Sequence, residues 1–195
     1  MQIKEASVFQ KKILAWYNLS KRDLPWRRTR DPYKILVSEI MLQQTQVDTV
    51  IPYYERWLKK FPDFQTLANS NESEILKSWQ GLGYYRRAKM LHQNAQVVMR
   101  EYQGALPQTP DALLKLPGIG RYTAGAVASI AFEKKTPVLD GNVIRVLTRL
   151  FAIKENVSEK KTLDTLWEIA NTVWKKLLSQ ARVTMVELMA ADYCG

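Results

Sequence analysis

Cysteine is almost missing from this chain: Cys194 stands alone among 195 residues. That excludes a disulfide within the chain and a metal site built from several thiolates, and makes a reducing, cytoplasmic setting the simpler expectation. Histidine is equally scarce, with His92 the sole example. It falls in a helical pattern, where a structural or exposed role is expected, and the sequence offers no metal-ligand cluster for phosphodiester cleavage. Long hydrophobic runs are lacking too. The longest nearly apolar stretch, residues 124–132, falls far short of the roughly 20 residues that span a bilayer as a helix. The N-terminal MQIKEASVFQKK has no apolar stretch of the kind a secretion signal needs, so a soluble protein is expected. Sustained strand alternation, internal repeats, low-complexity tracts and long linkers are absent as well.

Positive charge, by contrast, is abundant. Twenty-nine Lys and Arg against nineteen Asp and Glu give a formal charge of +10 and a pI near 9.7. Such a long-range field favours an anionic partner, nucleic acid above all. A basic surface that is merely solvated has the same composition, so the motifs must decide.

Apolar periodicity predicts helices throughout. Phe9, Ile13, Trp16 and Tyr17 recur at helical spacing and predict a first helix ending near Leu19. A second is expected to start after Asp31, with that residue as cap and Pro32 in the first turn, and to run to Val47. Others are expected at 52–60, at 72–80 behind an Asn71/Glu74 capping box, at 86–102, and briefly from Thr109 and Pro110. The remainder reads as helices at 122–132, 142–151, 158–179 and 183–193. The fold class is therefore all-α, a single region long enough to bury a substantial core.

Chemistry concentrates in a few segments. In TPDALLKLPGIGRYTAGAVASIAF a short helix, the hairpin LPGIG and a longer helix follow one another. Gly118 and Gly120 are expected to supply positive φ and a surface without side chains. Amides exposed at such a hairpin and at the next helix start suit a phosphate, with or without a bridging monovalent cation. A bare GxG is more often an ordinary turn. Pro117, the flanking helices and the net charge favour the phosphate reading.

Two carboxylates stand out. Asp140, in PVLDGNVIRVLTRLF, precedes a periodic apolar stretch and reads as a helix cap, a role compatible with catalysis. Glu39 sits among Ile35, Leu36, Val37, Ile40, Met41 and Leu42, where it is expected to be partly buried, with a raised pKa and a proton to give. Its plainer alternative is a polar-stripe glutamate. Cleaving a glycosidic bond requires a proton donor to the departing base and a carboxylate to stabilise the cationic sugar, roles these two residues suit. Gln43, Gln44 and Gln46 near Glu39, with Tyr84 and Tyr85 in GLGYYRRA, offer flat and polar groups able to fill a vacated base stack. Taken singly, each is more often a packing or surface residue.

Taken together, LPWRRT, SEIMLQQTQV, GLGYYRRA, LPGIGRYTAGA and LDGNVIRVL, in this order across almost the whole chain, resemble the successive signature segments of MutY-type adenine DNA glycosylases of the helix-hairpin-helix superfamily. The resemblance implies two helical lobes around a catalytic cleft. It implies that Glu39 protonates adenine at N7, that Asp140 stabilises or transiently bonds the sugar cation, and that Asn142 helps orient sugar and water. Trp26 and Arg27 would line the base pocket with Tyr122. Gln43, Gln44 and Tyr84 would meet the duplex, the last two as wedges, and Pro117, Gly118, Ile119, Gly120 and Arg121 would form the phosphate hairpin.

The implied partner is double-stranded DNA bearing adenine opposite 8-oxoguanine or guanine, met by a monomer. Endonuclease III-like relatives carry a Schiff-base lysine where this chain has Tyr122, so hydrolysis without strand cleavage is expected. Most members of the family hold a 4Fe-4S cluster with four cysteines. Cys194 corresponds to the first of them, and the other three have no counterpart in this sequence. Also without counterpart is the C-terminal domain that helps recognise 8-oxoguanine. Two other readings stay open: a thymine-mismatch glycosylase of the same superfamily, which can also have tyrosine at that position, and an inactive DNA-binding fragment that keeps the hairpin.

Overall fold

The computed structural model describes residues 11, 12 and 15–173. The expected helix at 183–193, the end of the one at 158–179, and Cys194 lie outside the described residues. Every regular element among the described residues is helical, and none of their helices is long and apolar enough to cross a membrane. The chain divides into two compact units, Asp23–Phe132 and a second formed by Met1–Arg22 with Glu133–Gly195.

The larger unit opens with a 3-10 turn at Pro25–Arg27, followed by α1 (Pro32–Met41), α2 (Val47–Lys60), α3 (Phe64–Asn69), α4 (Glu72–Trp79), α5 (Arg86–Tyr102), α6 (Pro110–Leu113) and α7 (Arg121–Phe132). α1 begins as its sequence dictates. The Asp31 carboxylate accepts hydrogen bonds from the amides of Tyr33 and Lys34 at 2.9 and 3.2 Å, a cap worth about 1 kcal/mol. Its end differs from the expectation of Val47. The helix stops at Met41, because Gln44 takes a left-handed conformation (φ 57°) and the carbonyls of Ile40 and Met41 turn to the Arg87 guanidinium. A new helix, α2, starts after Gln46 and carries Pro52 inside it rather than at its start. The backbone bond lost at Pro52 is offset by packing: Val50, Tyr54 and Trp57 are buried at helical spacing.

α3 is not anticipated by apolar periodicity. It is short, and it depends on Asp63, whose carboxylate accepts from the Thr66 amide at 2.7 Å and is thereby held below the usual carboxylate range. α4 occupies the expected place, but Asn71 makes no side-chain cap bond, so the predicted capping box is not formed. Its partner Glu74 instead lies 3.9 Å from the Lys60 ammonium. α5 ends as a left-handed cap at Gln103 (φ 54°), with the Gly104 amide returning to the Val98 carbonyl.

The core of this unit is aromatic. Trp57 meets Trp79 edge-on at 5.3 Å and Phe61 at 4.7 Å, and Tyr33 meets Phe64 at 4.8 Å. Tyr33 hides its hydroxyl by donating to the Phe61 carbonyl at 2.6 Å and accepting from the Trp57 indole at 3.2 Å, and burial raises its pKa. Tyr33→Phe leaves both of those groups buried without a partner. The expected result in urea unfolding is a loss of about 1–3 kcal/mol. A change below about 0.5 kcal/mol would show that water replaces the hydroxyl.

α1 and α7 pack together at the centre. Residues 35–41 of α1 and 123–130 of α7 are buried without a break, so both helices are enclosed on all sides rather than amphipathic. Arg30 ties them further by donating to the Ile130 carbonyl at 3.1 Å.

In the smaller unit residues 15–20 are helical, and α8 (Gly141–Leu150) packs on α9 (Lys160–Val173) through Val143 and Leu147 against a face bearing Leu166 and Ala170.

Candidate active site

Glu39 lies on α1 and is 3% exposed. Because α1 has no solvent-facing stripe, the alternative of a surface glutamate is ruled out by geometry. Just beyond the helix, Gln43 donates from its amide to the Thr123 hydroxyl at 3.3 Å, joining the end of α1 to the first turn of α7, where Tyr122 is half-buried.

Ahead of α1, Trp26 is fully buried and meets Tyr54 edge-on at 5.4 Å. Arg27 follows it with Nη1 buried and making no hydrogen bond among the described residues. A buried guanidinium nitrogen in that condition normally loses about 1–3 kcal/mol, and it is the kind of group that a ligand satisfies.

The hairpin is held from below. Asn94 on α5 is buried and donates to the Pro117 carbonyl at 2.6 Å and to the Met90 carbonyl at 2.9 Å. Leu116 and Ile119 point into the core, while Gly118, Gly120 and Arg121 are exposed. Of the two glycines only Gly118 has a positive φ, 71°. The expectation for Gly120 is corrected: it already belongs to the helix start, its carbonyl accepting from the Ala124 amide at 2.9 Å, and a Cβ there would meet nothing within 4 Å. The two glycines therefore differ in purpose. A Cβ on Gly118 would collide with the Met90 side chain in a backbone region costly for L residues, so Gly118→Ala is expected to cost about 1–2 kcal/mol in urea unfolding. Gly120→Ala should leave stability nearly unchanged and weaken duplex binding alone, by blocking close approach to the amides; equal effects of the two substitutions on stability would contradict this division.

In the smaller unit Asp140 caps α8. One carboxylate oxygen accepts from the amides of Asn142 and Val143 at 3.1 and 2.8 Å, and the other accepts from the Asn142 side chain at 3.3 Å. Asp140 is partly exposed, so a capped, oriented carboxylate reaches solvent. Asp140 and Asn142 are thus brought together in one unit, and Glu39, Gln43 and Tyr122 in the other.

Gln44 is exposed at its left-handed turn, and Tyr84, also left-handed (φ 47°), is 61% exposed. Large side chains displayed on strained backbone are uncommon and cluster at functional surfaces.

Comparison with known proteins supplies the family. The model of the HhH-GPD superfamily base excision DNA repair protein covers residues 37–172, which include Glu39, the hairpin and Asp140. The chain belongs to this superfamily. It is 47% identical to the adenine DNA glycosylase of Rattus norvegicus over 177 residues, 86% of this chain and 34% of that protein. It is 43% identical to the adenine DNA glycosylase of Buchnera aphidicola subsp. Baizongia pistaciae, over 85% of this chain and 47% of that one. The chain thus spans about a third to a half of the length of these relatives. Among solved structures it is similar to a thermostable thymine-DNA glycosylase, with a TM-score of 0.83, 34% identity, and coverage of 97% of this chain and 87% of that one. A trapped endonuclease III–DNA covalent intermediate shares the fold at a TM-score of 0.70 and 22% identity. The HhH-GPD fold is therefore the all-helical fold of this chain.

The residues present do not fit the iron-sulfur cluster implied by the family resemblance. Four thiolates are needed and the sequence holds one cysteine. No group of three or more His, Cys, Asp or Glu placed to hold a metal occurs among the described residues.

Two contributors escape sequence reasoning, Asn94 and Arg87, both buried on α5. The available signal is their position: both fall on the apolar stripe with Leu91, Ala95 and Val98, where a polar side chain must find partners. His92, buried on the same helix, approaches the Ala68 carbonyl at 3.3 Å and is structural.

Proposed function

We propose that this chain hydrolyses the N-glycosidic bond of adenine mispaired with 8-oxoguanine or guanine in double-stranded DNA and leaves the strand uncut. The observation that carries the reading is the burial of Glu39. A carboxyl group held in an apolar helix lowers stability, and such a cost is retained where the group does chemistry. Glu39 donates its proton to N7 of adenine. The bond between C1′ and N9 then breaks with its electron pair on the base, and the sugar becomes an oxocarbenium ion. Asp140, its oxygens aimed by Asn142 and the start of α8, stabilises that cation; water adds at C1′ and gives up a proton, leaving free adenine and an abasic site. Arg27 and Tyr122 contact the base, and the hairpin holds a phosphate directly or through a monovalent cation. Tyr122 cannot form an imine, so no lyase step follows.

The similarity to a thymine-DNA glycosylase over nearly the whole chain, together with Tyr122, favours a second reading in which thymine opposite guanine is removed. One experiment separates the two. Single-turnover base release is measured on duplexes carrying adenine opposite 8-oxoguanine, adenine opposite guanine, and thymine opposite guanine, with and without alkali. Adenine release and alkali-dependent cleavage support the first reading. Thymine release alone replaces it with the second, and strand cleavage without alkali contradicts the assignment of Tyr122.

A further inference from the structure

Arg87, the second residue of α5, is 7% exposed and forms no ion pair among the described residues. Its charge is met by oxygens instead. Nη1 donates to the carbonyls of Ile40, Met41 and Gln43 at 3.2, 2.7 and 2.5 Å. Nη2 donates to the Thr45 hydroxyl at 3.0 Å and to the carbonyls of Leu82 and Gly83, each at 3.2 Å. The guanidinium lies 5.4 Å from the Trp79 ring and 5.5 Å from that of Tyr84.

One fork thus grips two loops some forty residues apart in sequence, 42–45 and 82–84. Each loop carries one exposed residue in a left-handed conformation, Gln44 in the first and Tyr84 in the second. A helix end needs no buried charge to finish; a glycine or a water serves. What a planar guanidinium with several donors adds is a fixed distance between the two segments. That distance matters for wedges, because base pairs in a duplex are only about 3.4 Å apart along each strand and a pair of inserted side chains must meet the same opening.

We infer that Arg87 is a positioning residue that sets the spacing of Gln44 and Tyr84, so that both enter the duplex as one wedge. The inference rests on the wedge reading of those two residues and not on the identity of the excised base. Lysine cannot replace arginine here, since a single ammonium has three donors and no fork to span both loops.

The test uses the full chain and a duplex in which 2-aminopurine, fluorescent when unstacked, lies beside the mispaired adenine. Wild-type protein at saturation is expected to raise the fluorescence. Arg87→Lys should bind the duplex with affinity within about threefold of wild type, in keeping with an unchanged net charge, yet lose the enhancement to the level of the Gln44→Ala/Tyr84→Ala double variant. Added to that double variant, Arg87→Lys should change nothing further, which a general loss of folding would not reproduce. Thr45→Val removes a single acceptor without a change of shape and should lower the enhancement part of the way, giving a readout even where Arg87→Lys does not fold. Full enhancement in Arg87→Lys or in Thr45→Val, equal losses in both backgrounds, or no enhancement by wild type would each overturn the inference. Adenine release is followed in parallel. A wild type that unstacks 2-aminopurine but releases no adenine contradicts the proposed reaction and leaves the role of Arg87 standing.

Discussion

Glu39→Gln is expected to slow single-turnover release of adenine by about 10²–10⁴-fold, the usual contribution of a general acid, with duplex affinity nearly unchanged. Glutamine keeps the shape and the hydrogen-bonding reach of glutamate but has no acidic proton to give, so the loss falls on the chemical step and not on binding. Stability should move the other way. The side chain is enclosed within α1, where no solvent-facing stripe offers it water. An amide is less costly to bury than a carboxylate, so the variant should melt at the same temperature or higher. The combination of a lost rate and an equal or raised melting temperature is characteristic of a catalytic group. A variant that unfolds early and loses duplex binding would mark Glu39 as structural, and one that releases adenine at the normal rate would remove it from the mechanism.

Asp140 calls for a pair of substitutions, because the proposed mechanism gives this helix cap a second, catalytic role. Its cap bonds to the amides of Asn142 and Val143 are made by a single oxygen, and asparagine caps helices about as well as aspartate. Asp140→Asn should therefore change stability by no more than a few tenths of a kcal/mol while reducing adenine release by about 10²–10³-fold, through loss of the negative charge facing the sugar cation. Asp140→Ala removes the cap as well and should cost about 1 kcal/mol more in urea unfolding. Its rate should be no slower than that of the asparagine variant. If the asparagine variant keeps its rate and only the alanine variant suffers, Asp140 is a cap and nothing more, and the oxocarbenium must find its counter-charge elsewhere.

Three helix starts are legible in the sequence because their causes are local. Asp31 with Pro32, Thr109 with Pro110, and Asp140 before an apolar stripe each carry the capping chemistry within three or four residues, and each opens a helix where it should. The end of α1 was not readable. Nothing in MLQQTQV breaks a helical pattern, and the break comes from Arg87, distant in sequence, drawing off the carbonyls of Ile40 and Met41. Pro52 misleads in the opposite sense: a residue that ordinarily starts a helix lies inside one, because Val50, Tyr54 and Trp57 need a continuous face to pack. The Asn71/Glu74 pattern illustrates a limit of motifs, since Glu74 had a long-range partner in Lys60.

The candidate site divides along the same line. Residue type and neighbours single out Glu39, Asp140, the glycine hairpin, Gln44 and Tyr84, and the family resemblance adds Trp26, Arg27, Tyr122 and Asn142. The supports beneath them are not legible in the sequence. Asn94 under Pro117 and Arg87 under the two loops look like ordinary polar residues on an amphipathic helix until the packing shows them facing inward.

The sequence by itself determined the all-helical class, the helix starts at Asp31, Thr109 and Asp140 and the basic charge, because each depends on residue type and on spacing along the chain, and its signature segments carried the resemblance to the superfamily. Tertiary structure alone decided that Glu39 is enclosed, that Gly118 rather than Gly120 needs its left-handed backbone, and that one guanidinium joins the loops of Gln44 and Tyr84. Those outcomes depend on which groups far apart in sequence compete for the same hydrogen bonds and the same dry space, a competition settled only when the helices pack.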